Sequence, residues 1–193
     1  MRVIIKARPT TYRGILMRSR LEAYFAAMLD GWPNATWEYE PECFAGPSNQ
    51  WLPDFRVIHR EDGCDDVLEY VEVKPLVMID FPDFDTPEDA AARREATDAI
   101  LRKMETAWLS VQAPASLSLY FVEADNGEIG GLLMLTCERP GEPWRWCVRG
   151  ELGACVEIGQ HWPGLGQGEA GRRGELREHG IARMAAIGIE VPR

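Results

Sequence analysis

The feature that most constrains this chain is the order in which two periodicities follow one another. Residues 36–44 (TWEYEPECF), 51–59 (WLPDFRVIH) and 67–74 (VLEYVEVK) carry the alternation and the aromatic and β-branched content of strands. A block from about 87 to 110, with Pro87 at its first turn, carries helix formers, and residues 116–124 (SLSLYFVEA) return to an apolar strand. Residues 18–30 (RSRLEAYFAAMLD) precede them with Leu21, Tyr24, Phe25, Met28 and Leu29 at helical spacing, closed by Gly31 and Pro33. Ser19 lies three residues before Glu22, the spacing of a capping box. A chain that runs helix, three strands, helix, strand cannot be all-α or all-β. It predicts an α/β domain with a mixed sheet covered by helices on both faces.

Beyond residue 124 the pattern loosens. Asp125-Asn126-Gly127 supplies a turn, and residues 131–138, 144–150 and 151–159 read as short strands. A glycine-rich stretch over 164–174 precedes a helix expected at about 173–187. Residues 1–124 are thus read as the core with a basic N-terminal arm, and residues 125–193 as a β/α extension packed on the same domain.

The 193 residues suit one hydrophobic core. No stretch approaches the ~20 apolar residues of a membrane span, and the N-terminus lacks the apolar core of a signal peptide. A soluble, cytoplasmic protein with no membrane partner is expected. Five cysteines without a CxxC pair argue for reduced thiols rather than a disulfide framework or a structural zinc site.

Charge is unevenly placed. The net charge is −10, yet residues 1–21 hold Arg2, Lys6, Arg8, Arg13, Arg18 and Arg20 and no acid. Residues 51–110 hold 7 basic and 15 acidic side chains, a local −8. Overall acidity excludes indiscriminate nucleic-acid binding, because phosphate contacts need cations. A basic arm beside an acidic centre suits a site in which metal ions lie between carboxylates and phosphates.

The residues that carry chemistry are Asp54 and the triplet Glu72-Val73-Lys74. Strand periodicity puts Glu72 and Lys74 on one face and Val71 and Val73 on the other, and a hairpin can bring Asp54 opposite that pair. Two carboxylates supply the hard oxygen ligands that Mg²⁺ prefers, and the Val73 carbonyl can add a third. Lys74 stays protonated beside them and can position a water or stabilise charge on phosphorus. The bland reading of Glu72 and Lys74 is a same-face ion pair, and that of Glu22 a helix-capping residue.

Pro53-Asp54, followed by Glu72-Val73-Lys74, resembles the PD-(D/E)XK nuclease signature, and Ser19-Arg20-Leu21-Glu22 resembles the helix that precedes it in this superfamily. The likeness, over residues 12–124, is to the transposon endonuclease and Holliday-junction resolvase branch, of phage or mobile-element type. It implies a restriction-endonuclease-like α-β-β-β-α-β core and a Mg²⁺-dependent endonuclease acting on DNA, with Mn²⁺ as a substitute. In this reading Asp54, Glu72 and the Val73 carbonyl hold the metal, and Lys74 assists the attacking water. Glu22 binds a second metal or orients its hydration shell, and Arg13, Arg18 and Arg20 contact phosphate. Double-strand cleavage would favour a homodimer, and a protein partner would come from a recombination, transposition or phage complex. The competing expectation is a catalytically silent nuclease-fold binding or assembly module.

Overall fold

The computed structural model describes residues 7–46, 49–60, 66–75, 87–106, 115–125, 128–139, 142–149 and 155–161. A hairpin of β1 (Thr10–Tyr12) and β2 (Ile15–Met17) leads into α1 (Arg20–Leu29) and β3 (Ala35–Tyr39). Two-residue strands β4 (Phe44–Ala45) and β5 (Gln50–Trp51) precede β6 (Phe55–His59) and β7 (Val67–Pro75). Helix α2 (Pro87–Met104) is followed by β8 (Ala115–Asp125), β9 (Glu128–Cys137), β10 (Trp144–Arg149) and β11 (Cys155–His161).

Seven strands form one sheet in the order β11-β10-β9-β8-β7-β6-β3. Every neighbouring pair is antiparallel except β7 and β8. Parallel neighbours need a long crossover, and the chain between β7 and β8 supplies one that contains α2. Side chains alternate along each strand and sort into two layers. Phe55, Val57, Val71, Val73, Tyr120 and Val122 pack against Phe25, Ala26 and Leu29 of α1. On the other face, Tyr70, Leu117, Leu119 and Phe121 pack against Leu101 and Met104 of α2. The expected α/β architecture, a mixed sheet flanked by helices, is therefore the one observed. Neither described helix is long and apolar enough to cross a membrane.

Several boundaries differ from those expected, each for a local reason. The stretch 51–59 is not one strand: Pro53 has no N–H to give to a ladder, so β5 and β6 are separate elements with Leu52-Pro53-Asp54 between them. Part of the basic arm is not an arm at all, because Thr10–Met17 folds as a two-residue hairpin with Tyr12 opposite Ile15. Its turn has φ of 49° at Arg13 and 81° at Gly14, the positive pair that matches the twist of the flanking strands. Strands β9, β10 and β11 continue the central sheet. The glycine-rich stretch 164–174 and the helix expected at 173–187 lie outside the described residues, as do Asp80, Asp83 and Asp85, which the sequence places in an acidic loop ahead of the second helix.

Helix α1 begins where the capping-box spacing places it. Ser19 is the N-cap, with its Oγ accepting from the Glu22 N–H at 3.2 Å and donating to Glu22 Oε1 at 2.8 Å. Ser19→Ala removes both bonds. It should cost about 1 kcal/mol of unfolding free energy in urea titration, the usual worth of a serine cap; no change would mean that water replaces the cap without loss.

Candidate active site

The centre of the site is set by register. Phe55 pairs with Val71, so Asp54, one residue earlier, stands opposite Glu72 at the end of β6. Its backbone extends the ladder: the Asp54 N–H donates to the Val71 carbonyl at 2.9 Å, and its own carbonyl accepts from the Glu40 N–H at 3.0 Å. The carboxylate is equally constrained. Oδ2 accepts from the Val73 N–H at 2.8 Å, and Oδ1 is in contact with the Arg18 guanidinium. Asp54 is only 1% exposed, so it cannot leave this position without dismantling the strand end.

Glu72 lies on a strand that is covered on both faces, where a carboxylate must find partners or be neutralised. It has two. The Trp51 indole N–H donates to Oε2 at 2.7 Å, and the Lys74 ammonium meets Oε1 at 2.5 Å. Trp51 is itself locked, stacked on Phe44 with ring centroids 5.8 Å apart and edge-on to Tyr70. Lys74 Nζ also donates to the Val73 carbonyl at 3.2 Å, which brings all three residues of the triplet to one place.

Glu22 approaches from α1. Its Oε2 accepts from the Tyr39 hydroxyl at 2.6 Å and the Arg18 N–H at 3.0 Å, while Oε1 accepts from Ser19. The capping role and the site-facing role therefore coexist in one side chain. Arg18 connects it to the rest: the guanidinium that touches Asp54 also lies 2.9 Å from Glu40 and 3.9 Å from Glu22.

The electrostatics follow from this crowding. Burial pushes the Asp54 carboxyl up to about 7, and the nearby Glu72 and Glu22 charges push the same way. Lys74 and the Val73 N–H oppose them without prevailing. For Lys74, burial alone would lower the pKa, but Glu72 and Asp54 outweigh it and raise the value, so the ammonium is charged at neutral pH. Arg18 is likewise raised, with Asp54, Tyr39, Glu22 and Glu40 outweighing its partial burial. Four carboxylates (Glu22, Glu40, Asp54, Glu72) face two cations (Arg18, Lys74). Fully ionised, these six groups carry a formal −2.

Asp54, Glu72, Val73, Lys74, Glu22 and Arg18 are thus brought together. Arg20 is exposed in the first turn of α1, beside the cluster in sequence but not within its hydrogen-bond network as described. Arg13 is elsewhere: its Nε pairs with Asp30 Oδ2 at 3.0 Å, and Asp30 caps the far end of α1, a helix of about 15 Å. Three participants carry no sequence signal of their own. The Tyr39 hydroxyl, the Trp51 indole and Glu40 look like ordinary strand residues until the fold places them. Glu40 sits at φ 46°, a left-handed backbone uncommon outside glycine, which turns its carboxylate back toward Arg18.

A second buried carboxylate on β7, Glu69, faces the α1 layer. It lies 2.8 Å from His59 Nε2 and accepts from the Tyr120 hydroxyl at 3.1 Å. Trp144 donates its indole N–H to Glu105 at 3.0 Å and is fully buried. Cys43, Cys137 and Cys147 are free thiols. No protein-family model, no curated protein and no solved structure matches this chain.

Proposed function

We propose that this protein is a metal-dependent endonuclease of PD-(D/E)XK type that hydrolyses phosphodiester bonds in DNA. The observation that carries the reading is the meeting of Asp54, Glu72 and Lys74 at one end of the β6–β7 pair, reached through the element order α1-β3-β6-β7-α2-β8.

The donor set fits a hard divalent cation. Asp54 and Glu72 offer carboxylate oxygens with lone pairs beyond those already used, and the Val73 carbonyl lies beside them. Mg²⁺ takes one or two carboxylates and keeps water for the rest of its shell. Among the described residues no three of the His, Cys, Asp and Glu side chains converge on one ion position, so the Val73 carbonyl and water would have to complete the shell. When bound, such a cation supplies a water of lowered pKa and neutralises phosphate charge.

The chain's own groups do the rest. Trp51 fixes the rotamer of Glu72 through Oε2, leaving Oε1 turned toward Lys74. Lys74, held protonated, is a charged donor and not a base; it can orient a water or meet negative charge growing on phosphorus. Tyr39 and Ser19 hold Glu22 at the rim, where it steers Arg18. Arg20, exposed in the first turn of α1, would contact phosphate in this reading.

Supercoiled plasmid is expected to be nicked in Mg²⁺ and to stay intact in EDTA; intact plasmid in both would reject the endonuclease reading. A second reading has one observation in its favour. Arg18 and Lys74 already neutralise Asp54 and Glu72 internally, as they would in a silent nuclease-fold module that binds or assembles without cutting. Such a module would leave the plasmid uncut while retaining the fold.

A further inference from the structure

The guanidinium of Arg18 occupies the ground between Asp54, Glu40 and Glu22. Its position raises a question that the nuclease reading leaves open, namely how a divalent cation reaches Asp54. The two partners differ sharply in freedom. The Asp54 side chain is 2% exposed and pinned through Val73, whereas the Arg18 side chain is 53% exposed. The Arg18 backbone is fixed separately, its N–H donating to Glu22 and Tyr39 at 3.0 Å each. The side chain can therefore swing outward while the backbone, the N-cap and the strand end stay in place. Outside, a guanidinium is the side chain best matched to the planar, two-oxygen face of a phosphate.

We propose that Arg18 is a displaceable internal counter-ion: it must leave Asp54 before a divalent cation binds there, and DNA phosphate draws it away. Metal and DNA then bind cooperatively, each clearing the way for the other. Such coupling is reciprocal by thermodynamic necessity, and its usual size is a factor of about 5 to 150. Arg18, assigned from the sequence to phosphate alone, thus alternates between two anions. The inference rests on the metal-dependent reading above and adds to it an order of events.

The test is Mn²⁺ binding to the full chain, followed by the electron paramagnetic resonance signal of free Mn²⁺, with and without a short phosphorothioate duplex that resists cleavage. Without DNA, Arg18→Gln should bind Mn²⁺ about tenfold more tightly than wild type, while Arg18→Lys, which keeps the positive charge, should stay near wild type. Adding the duplex should tighten the wild type by a similar factor and leave Arg18→Gln nearly unchanged. Thermal melts establish that the variants are folded. Equal affinities in wild type and Arg18→Gln, or equal tightening of both by DNA, would overturn the proposal alone. Mn²⁺ binding that ignores Asp54→Asn would instead remove the metal reading of the site, and this inference with it.

Discussion

On the proposed function, Asp54→Asn and Lys74→Ala should each reduce Mg²⁺-dependent nicking of supercoiled plasmid by about 10³-fold or more, a loss of roughly 4 kcal/mol of barrier lowering. The two substitutions act on different parts of the site. Asparagine keeps an acceptor for the Val73 N–H and nearly the same shape, but it removes the charge that a divalent cation needs. Alanine at 74 leaves Asp54 in place and takes away the charged donor between Glu72 and the Val73 carbonyl. Neither touches the hydrophobic layers under α1 or α2, so circular dichroism should report an intact fold. Loss of nicking with retained structure supports the assignment; variants that cut at the wild-type rate would dismiss it.

Asp54 should make the metal-free protein less stable as pH rises from about 4 to 7, a contribution that Asp54→Asn should lack. The sign follows from the direction of the shift. Burial, Glu72 and Glu22 raise the folded Asp54 carboxyl to about 7, from 3.8 as its ordinary value. Between those values the folded chain holds a proton that the unfolded chain has released, so unfolding becomes easier with each step in pH. Above about pH 7 both states are ionised at this position, and the penalty is complete. Urea titrations in EDTA at pH 8 should find Asp54→Asn more stable than wild type by about 2 kcal/mol, with the difference vanishing near pH 4. Adding Mg²⁺ at pH 8 should restore stability to the wild type and not to the variant, since only a state that binds the ion gains from it. Parallel pH profiles for the two proteins would mean that Asp54 is already ionised and fully compensated by Arg18.

What could be read from the residues was largely what local chemistry decides. Ser19 and Glu22 announce the start of α1, because a serine three residues before a glutamate has few better uses. The alternation of Glu38 with Trp37 and Tyr39 marks a half-buried strand, and VLEYVEVK marks a strand that must sort its side chains to two layers. The pairing of Asp54 with Glu72-Val73-Lys74 is legible once two strands are joined as a hairpin. What stayed hidden depends on distance through space. The arginines of residues 1–21 look alike in a string of letters, yet one is drawn into a carboxylate cluster and another to the opposite end of α1. Arg13-Gly14 gives little warning of a tight hairpin, since arginine is a poor choice for a positive φ and the flanking residues do not alternate cleanly. Trp51 reads as a core residue and is one, fully buried between Phe44 and Tyr70. That its single polar atom should aim at Glu72 is a matter of tertiary packing.

These parts share one electrostatic logic. A buried aspartate, a buried glutamate and a lysine are forced together by the register of β6 on β7. Part of their surplus negative charge is offset within the chain by an arginine that is half in water. Such an arrangement is costly for a purely structural site, because charges of like sign are held close in a dry place. It is economical for one that exchanges its internal cation for a divalent one when substrate arrives.

The most direct test of that claim is a crystal of the protein soaked in Mn²⁺ at pH 8 and examined for anomalous scattering. A peak bounded by Asp54, Glu72 and the Val73 carbonyl is expected, with the Arg18 guanidinium turned away from Asp54. A saturating soak that leaves Arg18 on Asp54 and no peak between the two carboxylates would contradict it.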